Sequence, residues 1–203
     1  LLQRFQGVGL LDSSIILLPD ELAEQWSGCG PTTGKAAIKV MVEWDWLSGK
    51  LEMQLLAGRT HDQNNDLAVR LPPAGYLRIG DLGFFNLKQF QQMTQAGAYW
   101  LSRLKAGTTL VLNPQAQSTS ITQLLGVVST DEVEVELWLG QGLRVACRLL
   151  ARRLPQPQAE EALRKLHQDA QREGRTASSD QITLAQWSVL ITNIPKGLLS
   201  LSE

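Results

Sequence analysis

Cysteine and histidine are nearly missing from this chain: Cys29, Cys147, His61 and His167 are the whole complement in 203 residues. The cysteines stand far apart with no metal-ligand spacing, so a structural zinc site is not expected, and free thiols fit a cytoplasmic protein. Long hydrophobic runs are missing too. No apolar stretch approaches the roughly 18 residues that span a bilayer, and no basic-then-apolar leader opens the chain. The reading is a cytoplasmic protein with no membrane partner. An excess of either charge is also lacking, since 19 Lys and Arg meet 20 Asp and Glu for a formal net charge of −1. Such a balance gives no global pull toward nucleic acid. Finally, there is no initial methionine, and Leu1 to Gln6 offers no helix start. The chain is expected to be part of a longer protein.

What is present describes a globular fold. Hydrophobic residues make up 43% and charged residues 19%, ordinary values for a chain that buries a core. "GVGLLDSSIILLP" reads as a strand holding one charge, Asp12. Pro19 then starts a short helix over "DELAEQW", with acids in its first turn. "GCGPTTG" is a loop by composition. "KAAIKVMVEWDWLSGKLEMQLLAG" reads as a hairpin turning at Ser48-Gly49, with Val40, Val42, Trp44 and Trp46 on one face. Asp62 is placed to cap a helix over "QNNDLAVRL" before Pro72-Pro73. "GYLRIGDLGFFN" is a strand that delivers Asp81 into a turn. A helix over "NLKQFQQMTQAG" follows, with Leu87, Phe90 and Met93 inward and Gly97 as its stop. "AYWLSRLKAG" is another strand. Strands and helices in this order predict a mixed α/β sheet.

After Gly107 the texture turns to strands: "TTLVLN", "ITQLLGVVST", "EVEVELWLG" and "LRVACRLLARRL". Folding back at Gly140-Gln141-Gly142 places Glu134 opposite Arg148 and Trp138 opposite Arg144. One helix, "QAEEALRKLHQDAQREG", carries Glu160/Arg164 and Glu161/Lys165 as i,i+4 pairs. "TASSDQ" is a loop and "WSVLITNIP" a last strand. The organisation predicted is a core over 1–106, a β-rich insertion with one helix over 107–186, and a return strand over 187–203.

Asp12 and Asp81 are the acids whose placement can carry chemistry. Each ends or interrupts an apolar strand and has a small residue close behind it, Ser13 after Asp12 and Gly83 two on from Asp81. If their strands are neighbours, the carboxylates converge, and a pair of hard oxygen ligands on rigid strands suits Mg²⁺ or Mn²⁺. Such ions can activate a water or hydroxyl and stabilise the leaving oxygen of a phosphodiester. Spacing leaves a second reading open: an Asx-turn at Asp12 and a helix cap at Asp81. Candidates for a third carboxylate are Glu43, Asp45, Asp62, Asp66 and Glu203. Glu43 and Asp45 alternate with Trp44 and Trp46, so they are expected on a solvated strand face; Asp62 is expected as a cap, and Asp66 in solvent. Arg144, Arg148, Arg152 and Arg153 are either a phosphate stripe or cross-strand partners of Glu132, Glu134 and Glu136, and the register favours pairing. Arg103 and Lys105 flank the presumed carboxylate edge and can contact phosphate. His61, His167 and the six tryptophans are read as surface and as core or hairpin-face residues.

Four stretches, "LLDSSIILLPDE", "LRIGDLGFFNLKQFQQMTQAGAYWLSRLK", "LHQDAQREGR" and "WSVLITNIP", together resemble the catalytic domain of bacterial insertion-sequence transposases of the DDE class, the group numbered four. The first resembles that family's opening strand with its first catalytic Asp. The second resembles its Asp-x-Gly-[Phe/Tyr]-Phe segment, helix and Arg-x-Lys strand end. The third and fourth are similar to its basic helix and its Thr-Asn-Ile/Leu-Pro strand. The resemblance implies a ribonuclease-H-like mixed sheet flanked by helices with a β-rich insertion. It implies Mg²⁺- or Mn²⁺-dependent nicking of transposon ends, attack of the freed 3′-hydroxyl on target DNA, and a homodimer on DNA. Asp12 and Asp81 match the first two catalytic acids, and Arg103 matches a basic residue near DNA. The family's third acid lies in a Tyr-x2-Arg-x3-Glu-x6-Lys helix. Here Tyr76 is followed three on by Ile79, and Tyr99 by Ser102, so the motif is absent. A chain truncated before that acid is expected to cut DNA poorly. The alternatives are an inactive or domesticated remnant binding DNA or protein, and another nuclease on the same fold.

Overall fold

The computed structural model describes residues 2–30, 34–113, 115 and 117–202. Part of the expected "GCGPTTG" loop, and Glu203, lie outside them. The chain divides into two units, Leu1–Leu101 and Ser102–Glu203, and each is taken by itself. No helix of the described residues is long and apolar enough to cross a membrane.

In the first unit the strands are β1 (Gly7–Leu18), β2 (Ser27–Gly30), β3 (Gly34–Asp45), β4 (Leu51–Ala57), β5 (Tyr76–Gly80) and β6, which begins at Tyr99 and ends at Arg103. The predicted hairpin forms: β3 pairs antiparallel with β4 and, along its other edge, with β1. Its turn passes through Gly49 at φ 71°, a left-handed conformation that glycine adopts without Cβ strain. β5 then pairs parallel with β1, and β6 parallel with β5. The order β3-β1-β5-β6 is a mixed sheet of the expected ribonuclease-H-like class.

Two helices cover one face of this sheet. α1 (Asp66–Val69) is short, and its cap is Asn65, whose side chain accepts from the Ala68 N–H. Asp62, expected to cap here, does something else. α2 (Leu87–Gln95) is capped by Asn86 and buries Phe90 and Met93 as its spacing predicts. Phe90 stacks on Trp100 at 4.2 Å between ring centroids. Leu11, Met41, Leu67, Ala68 and Phe84 form a buried cluster under α1.

Alternation along β3 is as expected, but its faces are reversed. Glu43 is 5% exposed, whereas Trp44 is 39% exposed. Burying a carboxylate is costly unless it is paired, and here Arg78 supplies the pair. Its Nε and Nη2 donate to Glu43 Oε1 at 3.1 and 3.0 Å, and Arg70 donates to the other oxygen. Leu51, Met53 and Leu55 of β4 share the Trp44 face and are exposed.

The second unit holds β7 (Leu110–Val111), β8 (Ser118–Thr119), α3 (Ile121–Gly126), β9 (Glu132–Leu139), β10 (Val145–Arg153), α4 (Gln156–Arg172), α5 (Ser179–Gln186) and β11 (Trp187–Thr192). Two helices were not anticipated. "ITQLLG" forms α3 instead of a strand, and α5 begins inside the expected "TASSDQ" loop. Both open with a capping box, Ser120/Gln123 and Ser178/Gln181, a legible Ser-x-x-Gln signal. Buried Asp180 joins them, accepting from Thr122 Oγ1 at 2.8 Å and from the Gly107 N–H at 3.1 Å.

The β9–β10 hairpin forms with a longer loop than the three residues expected. Leu139 pairs with Val145, so Arg148 faces Glu136 and Ala146 faces Trp138. The register moves by two, and an even shift keeps every side chain on its face. Arg148 therefore still reaches Glu134 diagonally, at 2.7 Å. Arg152 pairs with Glu132 at 2.5 Å, and Arg153 with Asp131 at 3.0 Å. Arg148, 5% exposed, also donates to the carbonyls of Ile194 and Leu199 at 2.7 and 2.9 Å. The hydrogen bond from Arg148 holds the Glu134 carboxyl below its ordinary 4.5, against desolvation and with help from Lys196. A carboxyl lowered on folding stabilises fully above its unfolded value and loses that contribution as pH falls through its folded value. Stability of this unit is expected to drop as pH falls below about 4.5, and Glu134→Gln should flatten that fall. Urea unfolding at stepped pH checks it; parallel curves for variant and parent would contradict the assignment.

Candidate metal and DNA site

Parallel pairing of β1 and β5 sets the geometry. Leu11 is the register partner of Gly80; Asp12 is the next residue along β1, and Asp81 is the first residue after β5. Both side chains are exposed. Asp12 shares the β1–β3–β4 row with Val42 and Met53. Asp81 follows β5 in extended backbone and opens the 3₁₀ turn Leu82–Phe84, its carboxylate accepting from the Gly83 N–H at 2.9 Å. The capping read for Asp81 is thus present, but on this turn; Asn86 caps the helix. One carboxylate oxygen meets Gly83, and the side chain remains open to solvent. Ligands of open α/β sheets bind outside the carboxyl ends of parallel strands, and Asp81 stands at such an end.

The donor set fits a hard divalent cation in kind. Mg²⁺ is commonly held by one or two carboxylates, with waters and substrate phosphates completing the shell. Among the described residues no group of three or more His, Cys, Asp or Glu side chains is arranged to hold a metal. The third-acid candidates divide accordingly. Glu43 is consumed by Arg78 and Arg70. Asp45 accepts from the Leu47 and Ser48 N–H groups; burial opposes its ionisation, but these bonds hold its carboxyl below the ordinary value. Both line a cavity of about 240 Å³ with Lys50, Glu52, Arg70 and Tyr76. Burial, then the charges of Asp45 and Glu43, push the Tyr76 hydroxyl above its ordinary 10; the Arg70–Glu43, Arg70–Glu52 and Arg78–Glu43 pairs make that lining an ion-paired network. Asp66 is exposed and accepts a long 3.4 Å bond from Gln54.

Asp62, a third-acid candidate expected as a cap, has partners that the sequence did not reveal. Its Oδ1 accepts from Lys39 Nζ at 2.6 Å and from Ser13 Oγ at 2.9 Å. Lys39 is 6% exposed and sits on β3 opposite Ile15. Spacing gave no signal, because Lys39, Ser13 and Asp62 lie in three separate segments. Arg103 and Lys105 are exposed and belong to the second unit. His61 and His167 are exposed as read. Cys147 is buried, which pushes its thiol up to about 12 and leaves it inert.

A family model described as "Transposase DDE domain" matches residues 3–193. The transposase for insertion sequence element IS231D of Bacillus thuringiensis subsp. finitimus is 29% identical over 98% of this chain and 46% of its own length. That for element IS231B of Bacillus thuringiensis subsp. berliner is 29% identical over 100% of this chain and 46% of its own. That for element IS1151 of Clostridium perfringens is 18% identical over 98% and 46%. The chain thus spans about half the length of the curated relatives it matches. With the match running through both units, the chain belongs to the transposase DDE domain family.

Proposed function

We propose that this chain supplies two carboxylates of a metal-dependent DNA-cleaving and strand-joining site, Asp12 and Asp81, in a transposase acting on transposon ends. The observation that carries the reading is the β1–β5 register, with the two acids next after the Leu11–Gly80 pair. Asp12 and Asp81 would hold Mg²⁺ or Mn²⁺; when bound, such an ion neutralises phosphate charge and favours the ionised water or hydroxyl nucleophile. The protein's own contribution is positioning. β1 and β5 are paired strands, and rigid elements keep the two carboxylates at fixed separation. Arg103 and Lys105 contact DNA phosphates in this reading. The protein works as a homodimer on DNA in the cytoplasm, with 107–186 inserted in a core of 1–106 and 187–203, as the family resemblance implies.

The test uses the full-length protein and labelled transposon-end DNA. Chelation should stop cleavage, and Mg²⁺ or Mn²⁺ should restore it. Cleavage that persists in chelator removes the metal from the reading. DNA binding with no cleavage in either metal favours an inactive remnant. Arg103→Ala should weaken DNA binding for all sequences and reduce the slope of log affinity against log salt by about 1; an unchanged slope removes Arg103 from the DNA contacts.

A further inference from the structure

The loop from Thr60 to Asn65 is tied at both ends of the candidate site by bonds that neither a cap nor a solvent-facing acid requires. Toward β1, Asp62 Oδ1 accepts from Ser13, the residue directly after Asp12. Toward the Asp81 turn, Gly83 is the contact. A Cβ built on Gly83 would lie 2.6 Å from Asp62 Oδ2 and 3.1 Å from Asp81 Oδ1, so both carboxylates pack into the space that glycine leaves. Gln63 fastens the same turn, donating to the Gly83 and Phe85 carbonyls at 3.2 and 3.0 Å, and Asn86 donates to Gln63 Oε1 at 3.1 Å. Asn65 donates to the Asp62 carbonyl at 2.7 Å.

We propose that Asp62, clamped by Lys39 and Ser13, is a positioning residue that sets the separation and net charge of the Asp12–Asp81 pair. This rests on the reading of that pair as metal ligands. Two requirements are met at once. A third acid beside Asp81 would add repulsion, because like charges within a few ångströms disfavour joint ionisation. Buried Lys39, bonded to Asp62 Oδ1 at 2.6 Å and to the Thr60 carbonyl at 2.5 Å, supplies the compensating charge. The Asp62–Lys39 pair is neutral, so the charge of Asp12 and Asp81 stays available to a cation. The second requirement is geometric. Ser13 belongs to β1 and Gly83 to the β5 turn, and one side chain touches both, so a shift of either strand end is transmitted to Asp62. Partners that orient metal-binding carboxylates typically contribute 10–100-fold to metal affinity or activity.

The test titrates Mn²⁺ into the full-length protein, following free ion by electron paramagnetic resonance, with thermal melting alongside. Asp62→Asn should keep the number of bound ions and weaken their affinity by about 10–100-fold, with cleavage in Mg²⁺ falling in step and recovering at raised Mn²⁺. Gly83→Ala should do the same, because its methyl displaces both carboxylates. If Asp62→Asn does not fold, Ser13→Ala leaves the ion pair intact and should still weaken Mn²⁺ binding. Unchanged Mn²⁺ affinity in the folded variants overturns the proposal, as does loss of a whole bound ion in Asp62→Asn, which would make Asp62 a ligand. Asp12→Asn and Asp81→Asn separate the two levels. Wild-type Mn²⁺ affinity in those variants removes the metal site itself; abolished binding there, with unaltered Asp62→Asn, removes only the clamp.

Discussion

Asp81→Asn in the full-length protein is expected to reduce cleavage at transposon ends by about 10³-fold or more, corresponding to the several kcal/mol a bound cation contributes to charge stabilisation. The substitution is chosen because it separates the two roles Asp81 has. As a cap, its oxygen accepts from the Gly83 N–H at 2.9 Å, and Asn caps about as well as Asp. The turn Leu82–Phe84 and the burial of Phe84 behind it should survive, with a stability change of no more than a few tenths of a kcal/mol. As a metal ligand, the residue needs its charge, and Asn has none. A melting temperature near the parent's with cleavage lost is the predicted pair of results. DNA binding should be retained, since phosphate contacts come from basic groups. Cleavage within threefold of the parent would leave Asp81 a cap and nothing more.

Glu43→Gln is expected to have the largest effect on stability, a loss of about 3–5 kcal/mol. Glu43 and Arg78 are 5% exposed each, and Glu43 Oε1 takes two bonds from the Arg78 guanidinium. Removing the carboxylate charge leaves a buried cation that Ala68 and Arg70 carbonyls contact but do not neutralise. The contrast is Lys50→Gln, which breaks an ion pair with Glu52 whose lysine is 70% exposed; exposed pairs contribute about 0–1 kcal/mol. Urea unfolding followed by tryptophan fluorescence distinguishes them. A Glu43→Gln loss below about 1 kcal/mol would show that the buried pair is not the anchor of this sheet end.

Much of the architecture was legible because local periodicity has local causes. The two-residue alternation and Ser48-Gly49 gave the β3–β4 hairpin, and Leu87, Phe90 and Met93 gave α2. Asp12 and Asp81 stood out as charges in apolar strands. α3 was misread because "ITQLLGVV" is mostly apolar and short, and short apolar runs do not separate helix from strand; its Ser-x-x-Gln box was the available signal.

Other features were settled only by residues distant in sequence. Alternation in β3 required that Glu43 and Trp44 face opposite ways, but which face was buried depended on Arg78, 35 residues on, because only a paired carboxylate can leave water. Asp62 had the composition of a cap, and Asn65 took that position, freeing Asp62 to meet Lys39, Ser13 and Gly83. The sequence by itself determined most of the strands, the positions of the two hairpins and the two acids at their apolar runs. Tertiary structure decided which charges are buried and what stands beside the acids, since the cost of burying a charge is set by the partner that packing brings to it.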